Sequence, residues 1–135
     1  MSVSQASGVN KFMLRKPSPT DLGGVVIMMG EFYLESPYTL NPQRAAAGFS
    51  TLLADERLGR VWFIQSNLQD VGYVVLTLCY SMEYGGMAAV VDDFFIRRAF
   101  RGAGLGRAAL AEVRTFCLDY FTAKNIECPR IRNHH

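Results

Sequence analysis

The stretch Val90–Leu110, VVDDFFIRRAFRGAGLGRAAL, constrains this chain more than any other part of it. An apolar run able to form a buried strand passes into a turn where Gly102, Gly104 and Gly106 alternate, and the turn opens a helical pattern. Such a turn aims successive backbone N–H groups outward at the positive end of a helix, where they attract an anion. Each favourable anion contact of this kind contributes about 0.3–2 kcal/mol, depending on burial. Glycine suits the turn because a Cβ would block the approach of a phosphate to the backbone. The plainer alternative is a turn that only packs a strand against a helix. Two phosphate binders are excluded: G-x-G-x-x-G would need a glycine at Arg107, and the Gly-Lys-Ser/Thr ending of a P-loop is absent.

The rest of the chain must supply a core for that unit. Its 135 residues are 50% hydrophobic, which fits one domain and excludes a disordered chain. The apolar runs fall well short of the ~18–20 residues a membrane helix needs, and the start lacks the basic-then-apolar order of a signal peptide. Cys79, Cys117 and Cys128 are widely spaced and form no CxxC pair, so neither a disulfide framework nor a metal site is expected, and a cytoplasmic location is. The net charge of +2 hides a split: residues 1–96 carry six Lys/Arg against nine Asp/Glu, and residues 97–135 carry eight against three. Solvated surface charge would explain this, and so would an anionic ligand on the C-terminal side. No dense basic run or binding motif points to nucleic acid.

Residues 1–10 read as a flexible N-terminal extension and 11–135 as a single domain. Lys11–Lys16 alternates as a short strand. A helix is expected over about 20–35, capped by Ser18 or Thr20, with Leu22, Val25, Val26, Met29, Phe32 and Tyr33 on its apolar face. Asn41 followed by Pro42 announces a second helix to about Ala54. Strands follow over Arg60–Gln65, Val71–Tyr80 and Met87–Ile96, candidates for an antiparallel meander, the middle one apolar enough to be buried on both faces. Gly104 to about Phe121 is a strong amphipathic helix. The tail is too short for more than one further strand, and Pro129 would interrupt that strand. Trp62, Met28 and Met29 read as core, and His134 and His135 carry no expected role.

The residues Arg101-Gly102-Ala103-Gly104-Leu105-Gly106 match the (Q/R)-x-x-G-x-(G/A) signature of the GNAT-superfamily N-acetyltransferases. The preceding VDDFFIRRAFRG resembles the corresponding strand of the diamine and polyamine branch, and the element order agrees over roughly residues 10–121. The resemblance implies an α/β GNAT fold, a mixed, mostly antiparallel central sheet flanked by helices. It implies acetyl-CoA as co-substrate and a small primary amine as acceptor. The backbone of Phe94, Phe95 and Ile96 would pair with the pantetheine arm, and the amides from Arg101 to Arg107 would cradle the pyrophosphate. Arg97, Arg98 and Arg107 become candidates for the phosphates, or remain plain surface arginines.

Direct attack needs a neutral amine, and an alkylammonium of pKa near 10.4 leaves about one molecule in 10³ neutral at pH 7. A general base is therefore valuable, often acting through water. Asp92 and Asp93 are the acid/base candidates, Asp92 at the position of the family's proposed base. Adjacent residues of a regular strand point to opposite faces, so only one should reach a cleft unless a bulge re-aims both. By resemblance Glu31, Glu35, Tyr38, Glu83 and Tyr84 lie on or beside loops that frame the acceptor site, although for each taken alone the ordinary expectation is a solvent-facing side chain.

A full GNAT domain continues past the long helix, and only about 14 residues remain here, so the resemblance implies a C-terminally truncated domain. Its tail does not resemble the family's next strand. The open edge this would leave on the central strand makes a homodimer the expected assembly. A second function class is therefore weighed: a weak or inactive GNAT-like module that binds coenzyme A or a partner protein. An unrelated phosphate-binding domain is the third.

Overall fold

The computed structural model describes residues 11–83, 85–124 and 131–133. The elements are β1 (Phe12–Arg15), α1 (Leu22–Leu34), α2 (Pro42–Ala54), β2 (Gly59–Ser66), β3 (Gln69–Ser81), β4 (Gly86–Ile96), α3 (Leu105–Ala123) and β5 (Ile131–Asn133). Short 3-10 turns at Pro19–Asp21 and Arg98–Phe100 lead into α1 and the Gly-rich turn. The sheet order is β1-β2-β3-β4-β5, antiparallel throughout except for β5, which runs parallel to β4. No helix among the described residues is long and apolar enough to cross a membrane.

Local signals set the helix starts. Asn41 Oδ1 accepts from the Arg44 backbone N–H at 3.0 Å, with Pro42 in the first turn, as the sequence implied. Ser18 caps the turn ahead of α1 rather than α1 itself: its N–H donates to Asp21 Oδ2 at 2.8 Å, and α1 begins at Leu22.

The sheet separates two cores. Ile64, Val74, Leu76, Ala89, Val91 and Ile96 pack with Leu105, Ala109, Val113, Cys117 and Phe121 of α3. Val61, Phe63, Tyr73, Val75 and Phe95 pack with Val25, Met28 and Phe49 of α1 and α2. Helices on both faces explain the unbroken apolar run of β3, whose residues Val71–Leu76 are all buried. That burial ends earlier than the sequence implied, because Cys79 and Tyr80 are exposed toward the β3–β4 hairpin tip.

The tail holds the one further strand its length allows: Ile131–Asn133, beyond Pro129, pairs with Ala89–Val91 and covers the outer edge of β4 there. From Asp92 to Ile96 no strand among the described residues pairs with that edge. The expected N-terminal extension and the residues around Pro129 lie outside the described residues.

Gly72 of β3 pairs with Ile96 of β4, and a Cβ added there would collide with the Phe95 carbonyl oxygen. Gly72→Ala is therefore expected to destabilise the protein by about 1–3 kcal/mol through forced overpacking. Gly23→Ala, in open space on α1, should instead stabilise by about 0.5 kcal/mol through helix propensity. Urea unfolding of both variants checks the pair.

Candidate active site

The site begins with one extra residue in β4. Val75 pairs with Asp93 and Leu76 with Val91, so Asp92 is left over as a β-bulge. The bulge reverses the alternation of the strand. Before it Ala89 and Val91 face α3, whereas after it Phe94 and Ile96 do so and Phe95 turns to α1 and α2. Asp92 and Asp93 consequently line the same hollow, of about 760 Å³, on the α1/α2 side. Both acid/base candidates reach one cleft by the route the alternation argument had left open.

Asp93 is buried, 7% exposed, and accepts a hydrogen bond from the fully buried Tyr73 hydroxyl at 3.0 Å. Burial, and then the nearby Asp93 charge, push the Tyr73 phenol well above its ordinary range. Tyr33 is raised as well, by burial first and then by Asp93 and Asp92. Its ring lies 5.8 Å from that of Tyr38, and both line the hollow with Met29, Leu40, Phe49 and Leu52.

A second hollow, of about 400 Å³, lies beside the end of β4 and the Gly-rich turn. Phe94, Phe95, Ile96, Arg101, Gly102, Leu105 and Gly106 line it, with Phe32, Glu35 and Phe100. Gly102 and Gly104 take φ of +85° and +86°, the left-handed region that favours glycine, and nothing lies within 4 Å of a Cβ built at either. Gly104 starts α3 without a side-chain cap, which leaves the first-turn amides for an outside acceptor. Ala103 is exposed within the turn, and Arg107 is exposed in the first turn of α3.

The charged candidates are distributed differently from the expectation. Glu31 takes Arg97 in a two-pronged ion pair, Nε to Oε1 at 2.9 Å and Nη2 to Oε2 at 3.0 Å, while Arg97 Nη1 donates to the Asp70 carbonyl. Arg101 donates to both Glu35 oxygens at 2.8 and 2.9 Å and through Nε to the Ile96 carbonyl at 2.6 Å. Its guanidinium lies 5.5 Å from the Phe95 ring centre. Arg98 is 3.8 Å from Glu35 and otherwise exposed. Glu31 and Glu35 thus clasp the end of α1 to the end of β4, and Glu35 borders the second hollow, not the one that holds Asp92. Glu83 is exposed on the β3–β4 turn and lines neither hollow. Tyr84 lies outside the described residues.

A family model described as "Acetyltransferase (GNAT) family" matches residues 27–133. The chain belongs to the GNAT acetyltransferase family. Its four antiparallel strands and flanking helices form the α/β GNAT fold that the resemblance implied. An integron cassette protein from the mobile metagenome of Cole Harbour Salt Marsh is 41% identical over 89% of this chain and 74% of its own, with a TM-score of 0.76. A predicted acetyltransferase from Clostridium acetobutylicum, solved with acetyl-CoA, is 15% identical over 90% and 80%, with a TM-score of 0.68. An aminoglycoside N-acetyltransferase in complex with CoA is 13% identical over 93% and 78%, with a TM-score of 0.67. These last two share the fold alone. No curated protein sequence matches the chain.

Sequence reasoning missed Tyr73 and Tyr33, assigning Tyr33 to the apolar face of α1 and leaving Tyr73 unremarked in β3. The available signal was Tyr73 itself, since a phenol in an otherwise apolar buried strand needs a polar partner. Tyr73→Phe removes that donor and should cost about 1–3 kcal/mol at pH 7, the range for a hydrogen bond to a charged group. Its pH dependence should run the other way. Tyr33 and Tyr73 hold their protons in the native state more tightly than at the ordinary value of 10, so their contribution is complete below pH 10 and declines as pH rises beyond it. Between pH 10 and 11 the Tyr73→Phe protein should lose stability less steeply than its parent, as followed by denaturant unfolding.

Proposed function

We propose that this GNAT protein transfers the acetyl group of acetyl-CoA to a primary amine of a small molecule, by direct attack in a ternary complex. The bulge at Asp92 carries the reading: it brings two carboxylates into one cleft on the strand that leads to the Gly-rich turn.

The residues present fit coenzyme A. The edge of β4 from Phe94 to Ile96, which no strand among the described residues covers, adjoins the hollow, the left-handed glycines and the start of α3, a run of backbone groups and apolar walls. The backbone of Phe94, Phe95 and Ile96 would pair with the pantetheine arm, with Arg101 releasing the Ile96 carbonyl as it does. The amides from Arg101 through Gly102, Ala103, Gly104, Leu105 and Gly106 to Arg107 would hold the pyrophosphate, with Arg98 and Arg107 near enough in sequence to meet phosphate oxygens. Arg97 is committed to Glu31 and drops from that set.

Acetyl-CoA supplies the acetyl group as a thioester. Asp92, the less buried carboxylate, takes the ammonium proton through a water molecule, and the nitrogen then forms the C–N bond as the C–S bond breaks, coenzyme A leaving as a thiolate that takes up the proton the new amide nitrogen sheds. Asp93, held by the Tyr73 hydroxyl, places its carboxyl group beside Asp92 where a cationic amine would arrive. Positioning does the rest, by removing the entropy cost of encounter.

The test begins with thermal unfolding in acetyl-CoA. At about 100 times its dissociation constant the ligand should add roughly 2.7 kcal/mol of stability. A Gly104→Val variant that keeps its circular dichroism spectrum should lose that shift. Asp92→Asn should keep the shift and lose about 10²-fold or more in kcat, the usual contribution of a general base. A folded parent without a shift would sink the enzyme reading, and a shift without turnover of any amine would leave a coenzyme A-binding module.

A further inference from the structure

The hollow that holds Asp92 and Asp93 also contains charge of the opposite sign, which the transfer reaction does not use. Arg44, in the first turn of α2, lines it. The Arg44 backbone N–H is fixed by Asn41 Oδ1, so the point from which the side chain departs is set by the helix cap. Its guanidinium forms no ion pair among the described residues, whereas Arg15, Arg57, Arg60, Arg97, Arg98 and Arg101 each pair with a carboxylate. Arg107 and Arg114 are on α3 and line neither this hollow nor its neighbour. Among the described residues, Arg44 is therefore the one cation that borders the carboxylate pair's hollow.

The rest of the lining is mostly apolar and aromatic, with Met29, Tyr33, Leu40, Phe49 and Leu52, and carries the neutral polar groups of Thr39, Asn41 and Thr51. Its volume of about 760 Å³ exceeds what a short alkylamine fills. A plain monoamine would leave Arg44 without a partner. A diamine or polyamine would bring a second ammonium into a hollow whose remaining charged side chain is also positive. A carboxylate, by contrast, matches the planar two-pronged guanidinium.

We infer that the acceptor is an amino carboxylate, with its amine at Asp92 and Asp93, its apolar body along Tyr33 and Leu52, and its carboxylate on Arg44. This rests on the acetyl-transfer reading for the amine's place, and it departs from the diamine and polyamine branch that the strand motif resembles.

Three acceptors of one chain length test it with the full protein: hexylamine, aminohexanoate and hexane diamine. The amino carboxylate should exceed the monoamine in kcat/KM by about tenfold, with the diamine last. Arg44→Gln should bring the first ratio to about one, and Arg44→Glu should reverse the order in favour of the diamine. Ratios within one variant are unaffected by a general loss of folded protein. A ratio that survives Arg44→Gln, or a parent that prefers the diamine, would overturn the assignment. If the parent acetylates none of the three, thermal unfolding with coenzyme A present decides. Stabilisation by aminohexanoate that Arg44→Gln abolishes would keep this site while acetyl transfer fails, and no such stabilisation in the parent would remove the site as well.

Discussion

One extra residue in β4 governs both how the two faces of the sheet pack and where the carboxylate pair lies. If the strand continued its alternation past Val91, Asp93 would enter the mainly apolar core beneath α3, away from the Tyr73 hydroxyl. Leaving a carboxyl group there without a partner costs several kcal/mol. The bulge at Asp92 turns Asp93 to the Tyr73 hydroxyl instead, and delivers Phe94 and Ile96 to α3 in its place. Register and site are thus specified by the same burial. A slip that spoiled the carboxylate pair would also unpack a core, so the fold resists losing the site.

α1 divides the two hollows by helical spacing. Met29 and Tyr33, four residues apart, line the hollow with the carboxylates, while Phe32 and Glu35, three apart, line the one beside the Gly-rich turn. Glu31 and Glu35 then fasten the same helix to Arg97 and Arg101 at the far end of β4. Partly exposed ion pairs of this sort contribute little to stability one by one. Their effect is geometric, since they hold the helix that forms a wall of both cavities against the strand that connects them.

How much of this was legible follows from the range of each signal. The strand-turn-helix unit at Val90–Leu110, the Asn41–Pro42 cap and the apolar faces of α1, α2 and α3 are local patterns, and the elements formed within a few residues of where those patterns put them. The bulge was visible only as a conditional, because two adjacent aspartates in a strand can share a face if the register breaks and not otherwise. β5 was obscured by its short length and by Pro129 just before it. The pairing of Glu31 and Glu35 with Arg97 and Arg101 was not legible at all: each ion pair spans 66 residues of sequence, and nothing in the local pattern of either partner distinguishes it from a solvated charge. Tyr73 and Arg44 fell between these cases, an odd polar atom in an apolar strand and an odd cation beside an acidic site.

Those long-range pairs also change what the uneven charge along the chain means. The basic C-terminal segment looks suited to an anionic ligand, yet two of its arginines nearest the turn are matched by glutamates from α1. What remains at the turn is mainly direction: left-handed glycines, an uncapped first turn of α3 and backbone donors with no side chain in the way. An anion there would be held by the alignment of amides more than by accumulated positive charge. The glutamates that neutralise the arginines are the groups that fix the strand end from which the turn departs. In Arg97 and Arg101, side-chain charge is used for position.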